Sequence, residues 1–219
     1  MDPTQTAPAI LRPLVTLDAR LSQNLHRRSQ PFLPHFLLLL LELSADFRLF
    51  FPISLSLLLA PPPFPSPQLR PFLVPLLLGL LLDLALAGLL KILVRRSRPH
   101  YNKNMSIAVS VDLFSFPSGH SSRVCFVATL VYLSASAFAD ALVWIRFSSG
   151  FVDRWIGVSD AKIVNFMLLG VWSWAIATSV SRILLGRHFV FDVFAGACLG
   201  VLEGLVAFHF LGIEKIAVR

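Results

Sequence analysis

Four stretches of this chain, Pro71–Val94, His120–Ala139, Val164–Leu185 and His188–Leu211, stay apolar over twenty or more residues with only a few ionisable side chains. At about 1.5 Å of rise per residue, helices of that length cross the ~30 Å of hydrocarbon in a bilayer. Hydrocarbon offers no water to an unpaired N–H or C=O, so such stretches must fold as helices that satisfy their own backbone. The fold class that follows is an all-α integral membrane helical bundle. Composition agrees: 56% of residues are hydrophobic and 14% charged, against about a quarter charged in a soluble domain. A further stretch, Phe36–Ala60, is apolar but broken by Glu42, Asp46, Arg48 and Pro52, and reads as a short helix followed by a spanning one. The expectation is therefore about five transmembrane helices. Pro61-Pro62-Pro63 with Pro65 and Pro67 forms a stiff turn, and Asp140–Lys162 reads as a loop with a short interfacial helix. Gly196, Gly200 and Gly204 repeat at a spacing that would let a second helix approach closely.

Residues 1–34 are polar and basic. Within them Leu17, Leu21 and Leu25 recur every fourth residue over Val15–Arg28, an interfacial helix with Arg20, Arg27 and Arg28 on its polar side. The formal charge of +7 is concentrated at Arg27-Arg28 and between Lys91 and Lys103. In a chain with 19 phenylalanines and long leucine runs, that excess suits anionic lipid and not nucleic acid. Cys125 and Cys198 both lie in apolar runs and suggest neither a disulfide framework nor a zinc site. Met1 to Pro13 contain no apolar core with a small-residue cleavage site, so no secretory signal is expected.

Three short, distant segments carry chemistry. Lys91 with Arg98-Pro99 supplies cations for a dianion, Arg98 offering a planar bidentate fork. Taken alone, these residues with Arg95 and Arg96 also fit a juxtamembrane cluster that sets topology. Pro117-Ser118-Gly119-His120 opens a helix: Ser118 can cap it, Gly119 admits a ligand close to the backbone, and free N–H groups favour an anion. His120 there can act as general acid; an ordinary capped helix start would look similar. Ser181-Arg182, His188 and Asp192 form the third segment. His188 and Asp192 are four apart, so on a helix the carboxylate could hold one imidazole nitrogen as N–H and free the other for attack. A snorkelling histidine and a structural aspartate are the plainer reading of that pair. An even number of spans separates the segments, so all three meet on one membrane face.

Together these motifs, in this order and spacing, resemble the signature of the type-2 phosphatidic acid phosphatase superfamily, and every signature position is filled. The resemblance covers roughly Asp83 to Gly200. The runs Val94-Arg95-Arg96-Ser97-Arg98-Pro99 and Phe114-Ser115-Phe116-Pro117-Ser118-Gly119-His120 look like the polyisoprenoid (presqualene) diphosphate phosphatase branch and the plant lipid phosphate phosphatase beta type. The resemblance implies a transmembrane phosphatase domain over residues 35–219, acting without metal or other cofactor through a phosphohistidine. His188 would then be the nucleophile, Asp192 its orienter and His120 the acid and base. Lys91, Arg98, Ser118, Gly119 and Arg182 would bind the phosphate. Expected partners are a lipid phosphate or isoprenyl diphosphate substrate and membrane lipids, with no nucleic acid; a homo-oligomer is compatible with the sequence. The expected location is the endoplasmic reticulum membrane, and the basic bias puts the site on its cytosolic face.

Other residues bear on substrate and alternatives. Arg95, Arg96, Arg123 and Arg187 stand close to the motifs as surplus cations, which would suit the second anionic group of a diphosphate. Asp83 and Glu203 read as helix–helix hydrogen-bonding groups, and Trp144, Trp155, Trp172 and Trp174 as interface anchors or packing. The alternatives are a phosphatidate or lysophosphatidate phosphatase, a catalytically silent lipid-binding protein that keeps the fold, and a vanadium haloperoxidase, which the hydrophobicity disfavours.

Overall fold

The computed structural model describes residues 9–60, 69–101, 113–148 and 159–212. The proline-rich turn at 61–67, Lys103, Asp153, Arg154 and Trp155 lie outside the described residues. After a short 3₁₀ turn come α1 (Arg12–Ser29), α2 (His35–Ser44), α3 (Phe47–Leu59) and α4 (Arg70–Val94). They are followed by α5 (Gly119–Leu133), α6 (Ala135–Ser148), α7 (Asp160–Leu184) and α8 (Val190–Phe210).

Helices α4, α7 and α8 are long and apolar enough to span a membrane, and α5 with α6 makes a fourth span if the bent pair crosses as one. The chain is thus an integral membrane protein with three to four spanning helices among the described residues. The first apolar stretch does not yield a full span. It breaks at Ala45, and Asp46 restarts the chain by accepting the Arg48 N–H at 2.9 Å, leaving α2 and α3 at 10 and 13 residues. The stretch around His120–Ala139 is likewise not straight: α5 and α6 meet at 65°.

Helix α5 is the axis of the bundle. Every residue from Ser121 to Val131 is buried, against α4, α7 and α8. Leu73, Leu76 and Leu80 of α4 close on Phe126, Val127, Leu130 and Val131 of α5 and on Ala207 of α8. The glycine stripe of α8 faces α5. A Cβ at Gly196 would strike the Ser118 carbonyl, one at Gly200 the Ser122 carbonyl, and one at Gly204 would come within 2.7 Å of Thr129. Backbones that close let α8 carry its first turn into the opening of α5. Deeper in the bundle, Asp83 of α4 pairs with Arg123 of α5 at 2.9 Å, and Ser122 donates to Glu203 of α8 at 3.1 Å. These acids link helices, as their positions in apolar runs suggest. The outer faces keep Leu81, Leu84, Phe166, Leu169, Phe194 and Leu202 exposed, the expected surface toward lipid tails.

Candidate active site

The three sequence segments converge at one end of the bundle. Lys91 lies in the last turn of α4, which ends in a left-handed Arg95 (φ 52°) whose N–H returns to the Lys91 carbonyl at 2.9 Å. That turn reverses the chain and sends Arg96 and Arg98 back over the bundle. Ser97 then bridges Phe114, and the Ser115 N–H reaches the Arg96 carbonyl at 2.8 Å. Ser118 caps α5, and its own N–H donates to the Asp192 carbonyl at 2.9 Å, which ties the opening of α5 to that of α8.

His188 sits between α7 and α8, 2% exposed. Its Nδ1 meets the Ser115 carbonyl at 2.7 Å. A carbonyl only accepts, so Nδ1 carries the proton and Nε2 keeps its lone pair. Nε2 lies 3.4 Å from a terminal nitrogen of Arg98, which also donates to the Arg187 carbonyl at 3.0 Å. Burial, then Arg98, Arg182 and Lys91, hold the His188 pKa well below its ordinary value. The imidazole is therefore neutral at neutral pH.

Asp192 stands 3.9 Å from the same Nδ1 and does not make the hydrogen bond expected from the four-residue spacing. Its oxygens are committed elsewhere, one accepting the Phe189 N–H at 2.9 Å and the other paired with Arg96 at 2.7 Å. A carboxylate in the first turn of a helix is drawn to the unbonded N–H groups there, and Ser115 takes over the imidazole. At the mouth of α5, a Cβ at Gly119 would meet nothing within 4 Å among the described residues. The Nε2 of His120 is buried without a hydrogen-bond partner among the described residues, and the fields of Arg182, Arg123, Lys91 and Arg98 reach it. Arg182, 1% exposed, is gripped by Glu42 of α2 at 3.1 and 3.3 Å.

The surplus arginines have mixed fates. Arg123 is buried against Asp83 and the Ala45 carbonyl, and Arg96 spans Asp18 and Asp192. Arg95 turns away to the Ile92 carbonyl. Arg187, 3.7 Å from Glu42, lines a cavity of about 650 Å³ between α1, the 30–34 linker and the end of α7. Phe32, Leu33, Leu38, Leu184 and Tyr101 share its wall. Burial, with Asp18 and Asp192 nearby, pushes the Tyr101 hydroxyl up to about 12, so that it stays protonated.

A match to the model of the PAP2 superfamily spans residues 72–215. The chain belongs to that superfamily. It is 48% identical over 218 residues to a probable lipid phosphate phosphatase beta of Arabidopsis thaliana, covering 99% of this chain and 98% of that one. It is also 34% identical over 115 residues, 52% of this chain and 42% of the other, to the lipid phosphate phosphatase gamma of the same plant. Its fold is similar to that of a transmembrane PAP2 type phosphatidylglycerolphosphate phosphatase from Bacillus subtilis. There the TM-score is 0.68 at 22% identity, with 93% of this chain and 88% of that one aligned. As a PAP2 member the protein is a membrane phosphatase.

Several residues at this end of the bundle escaped the motif reading. Ser115 acts through a backbone carbonyl, which leaves no mark on side-chain chemistry. Glu42, a lone acid in an apolar run, carried the signal of an intramembrane ionisable group. Asp18 and Ser22 lie four apart on α1, and that spacing is the signal that puts both on one stripe of the helix.

Proposed function

We propose that this PAP2 protein hydrolyses lipid phosphates through a phosphohistidine on His188. The observation that carries the reading is the locked imidazole, with Nδ1–H on the Ser115 carbonyl and Nε2 turned to Arg98. Lys91, Arg98 and Arg182 meet the charge of the phosphoryl group, with Ser118 and the Gly119 N–H at the helix start. Nε2 attacks phosphorus and forms the P–N bond while the bond to the lipid oxygen breaks, and His120, which takes up a proton as the phosphate dianion enters among those cations, gives that proton to the leaving oxygen. Water then attacks the phosphohistidine and passes a proton to His120. The P–N bond breaks, inorganic phosphate leaves and the lone pair returns to Nε2. The clamp is made of side-chain cations, so the reading requires no metal.

Lipid as substrate is supported by the name of the 48% identical relative and by the cavity beside Arg187, whose wall mixes Phe32, Leu33, Leu38 and Leu184 with polar side chains. Arg187, adjacent to His188 in that wall, favours a second reading in which an isoprenyl diphosphate places its outer phosphate there. The assay is purified protein in detergent with EDTA, offered phosphatidate, lysophosphatidate, farnesyl phosphate and farnesyl diphosphate, with rapid acid-free quenching to trap labelled phosphoenzyme. Turnover and a base-stable phosphoenzyme are expected in the wild type, and neither in His188→Ala. Substantial turnover by His188→Ala would sink the mechanism. Arg187→Ala should lower kcat/KM more for the diphosphate than for the monophosphate; equal losses would remove the diphosphate reading.

A further inference from the structure

Helix α1 is amphipathic, but it is turned opposite to a simple membrane-surface helix. Leu17, Leu21 and Leu25 are 60%, 46% and 39% exposed, whereas Asp18 and Ser22 on the neighbouring stripe are buried. A buried carboxylate is costly unless it is paired and hydrogen-bonded, and Asp18 is both. One oxygen pairs with Arg96 at 2.6 Å and the other accepts the Phe191 N–H at 3.1 Å. Ser22 accepts the Val190 N–H at 3.0 Å, and His26 reaches the Leu184 carbonyl at 2.6 Å. With Asp192 on the Phe189 N–H, three successive N–H groups after His188 are satisfied by side chains, two of them from α1. The helix thus brackets the His188 loop, gripping the end of α7 and the start of α8.

We propose that α1 is a working part of the active site and that Asp18 is a positioning residue for His188, acting through Arg96 and Asp192. The proposal rests on the reading of His188 as nucleophile. It goes beyond the superfamily domain, whose match begins at residue 72, more than forty residues after α1 ends. Arg96 bridges the two carboxylates, 2.6 Å from one and 2.7 Å from the other, and its guanidinium lies 4.2 Å over the Phe189 ring. The arginine therefore fixes both neighbours of the loop, Phe189 by its face and Asp192 by its charge. Without Asp18, Arg96 has one carboxylate to follow and not two. The first turn of α8, and the imidazole before it, would then lose a fixed reference.

Asp18→Asn separates this role from simple helix capping. The amide oxygen can still accept the Phe191 N–H, but the amide nitrogen would face the guanidinium, donor against donor. Misplacing a nucleophile by about 1 Å lowers turnover roughly 100-fold, so kcat should fall roughly 10- to 100-fold. KM and competitive inhibition by inorganic phosphate, a ground-state anion, should hold, because Lys91, Arg98 and Arg182 are untouched. Arg96→Lys keeps the charge but cannot span both carboxylates, and it should show the same split. The double variant should be no worse than the worse single one, since both cut a single chain of contacts. Wild-type kcat in Asp18→Asn would overturn the proposal, as would additive losses or a parallel loss of kcat and phosphate affinity. If Asp18→Asn does not fold, Arg96→Lys decides by the same criteria. Trapping phosphoenzyme in the wild type keeps the two readings apart. Its absence sinks the phosphohistidine, while the split between kcat and phosphate inhibition still decides Asp18.

Discussion

An imidazole packed among a guanidinium pair and an ammonium group resists taking up a proton, and at His188 burial adds to their effect. This has a measurable consequence for stability. In the unfolded chain the imidazole titrates near 6.5; in the folded protein its pKa is well below that. Below about pH 6.5 the unfolded state therefore binds a proton that the folded state does not, and stability is lost as pH falls; above it the contribution is constant. His188→Gln should remove this share, so the melting temperature in detergent should drop less between about pH 7.5 and 5.5 than in the wild type. An unchanged drop would mean that folded His188 takes up its proton like a free imidazole. For catalysis the same depression keeps the Nε2 lone pair available throughout the neutral range. The histidine was legible from its motif, yet its true partner was not. The four-residue spacing to Asp192 predicts a carboxylate contact, and a backbone carbonyl from a segment 73 residues away wins it.

Between helices, the site depends on how closely α8 approaches α5. Gly200 meets the Ser122 carbonyl so closely that a methyl group there has no room. Gly170, on α7, has nothing within 4 Å of its Cβ position. Gly200→Ala should thus push the two helices apart, at about 1–3 kcal/mol of stability. It should also lower activity, because the bond from the Ser118 N–H to the Asp192 carbonyl is part of the same seam. Gly170→Ala should leave both at wild-type levels. Equal melting temperatures for the two variants would mean that the seam relaxes at little cost. The seam was legible in the glycine spacing because close backbones need small residues wherever they occur. The bend at Ser134 was not, because hydropathy averages over a window and the residues on both sides of the break are apolar. Nor was the facing of α1. An amphipathic pattern separates two faces of a helix, but here the leucines and Arg20, Arg27 and Arg28 are all exposed, and only the narrow stripe of Asp18 and Ser22 turns to the protein core.

Across the whole molecule, the proposed phosphate clamp is assembled from parts that share no element. Lys91 ends α4, Arg98 follows it, and Arg182 is in the last turn of α7, while α5 and α8 bring Ser118 and the approach to His188. The motif order and the alternation of spans made that meeting legible from sequence, because a helix that crosses must return. The carboxylate that holds Arg182 was less legible, since Glu42 comes from a stretch read as a short helix ahead of a span. A clamp drawn from separate helices implies that a bound anion should stabilise the bundle as a whole. Vanadate, which adopts the trigonal-bipyramidal geometry of a transferring phosphoryl group, is the probe. A ligand that binds only the folded state at a hundred times its Kd adds about 2.7 kcal/mol. Vanadate should therefore raise the melting temperature of the detergent-solubilised protein by several degrees in proportion to the logarithm of its concentration, and inhibit turnover over the same range. Arg182→Ala should shrink both effects together, because it removes a cation without touching the nucleophile. Inhibition without a thermal shift, or a shift that survives Arg182→Ala undiminished, would place vanadate away from this clamp and break the link between the three converging segments and the phosphate.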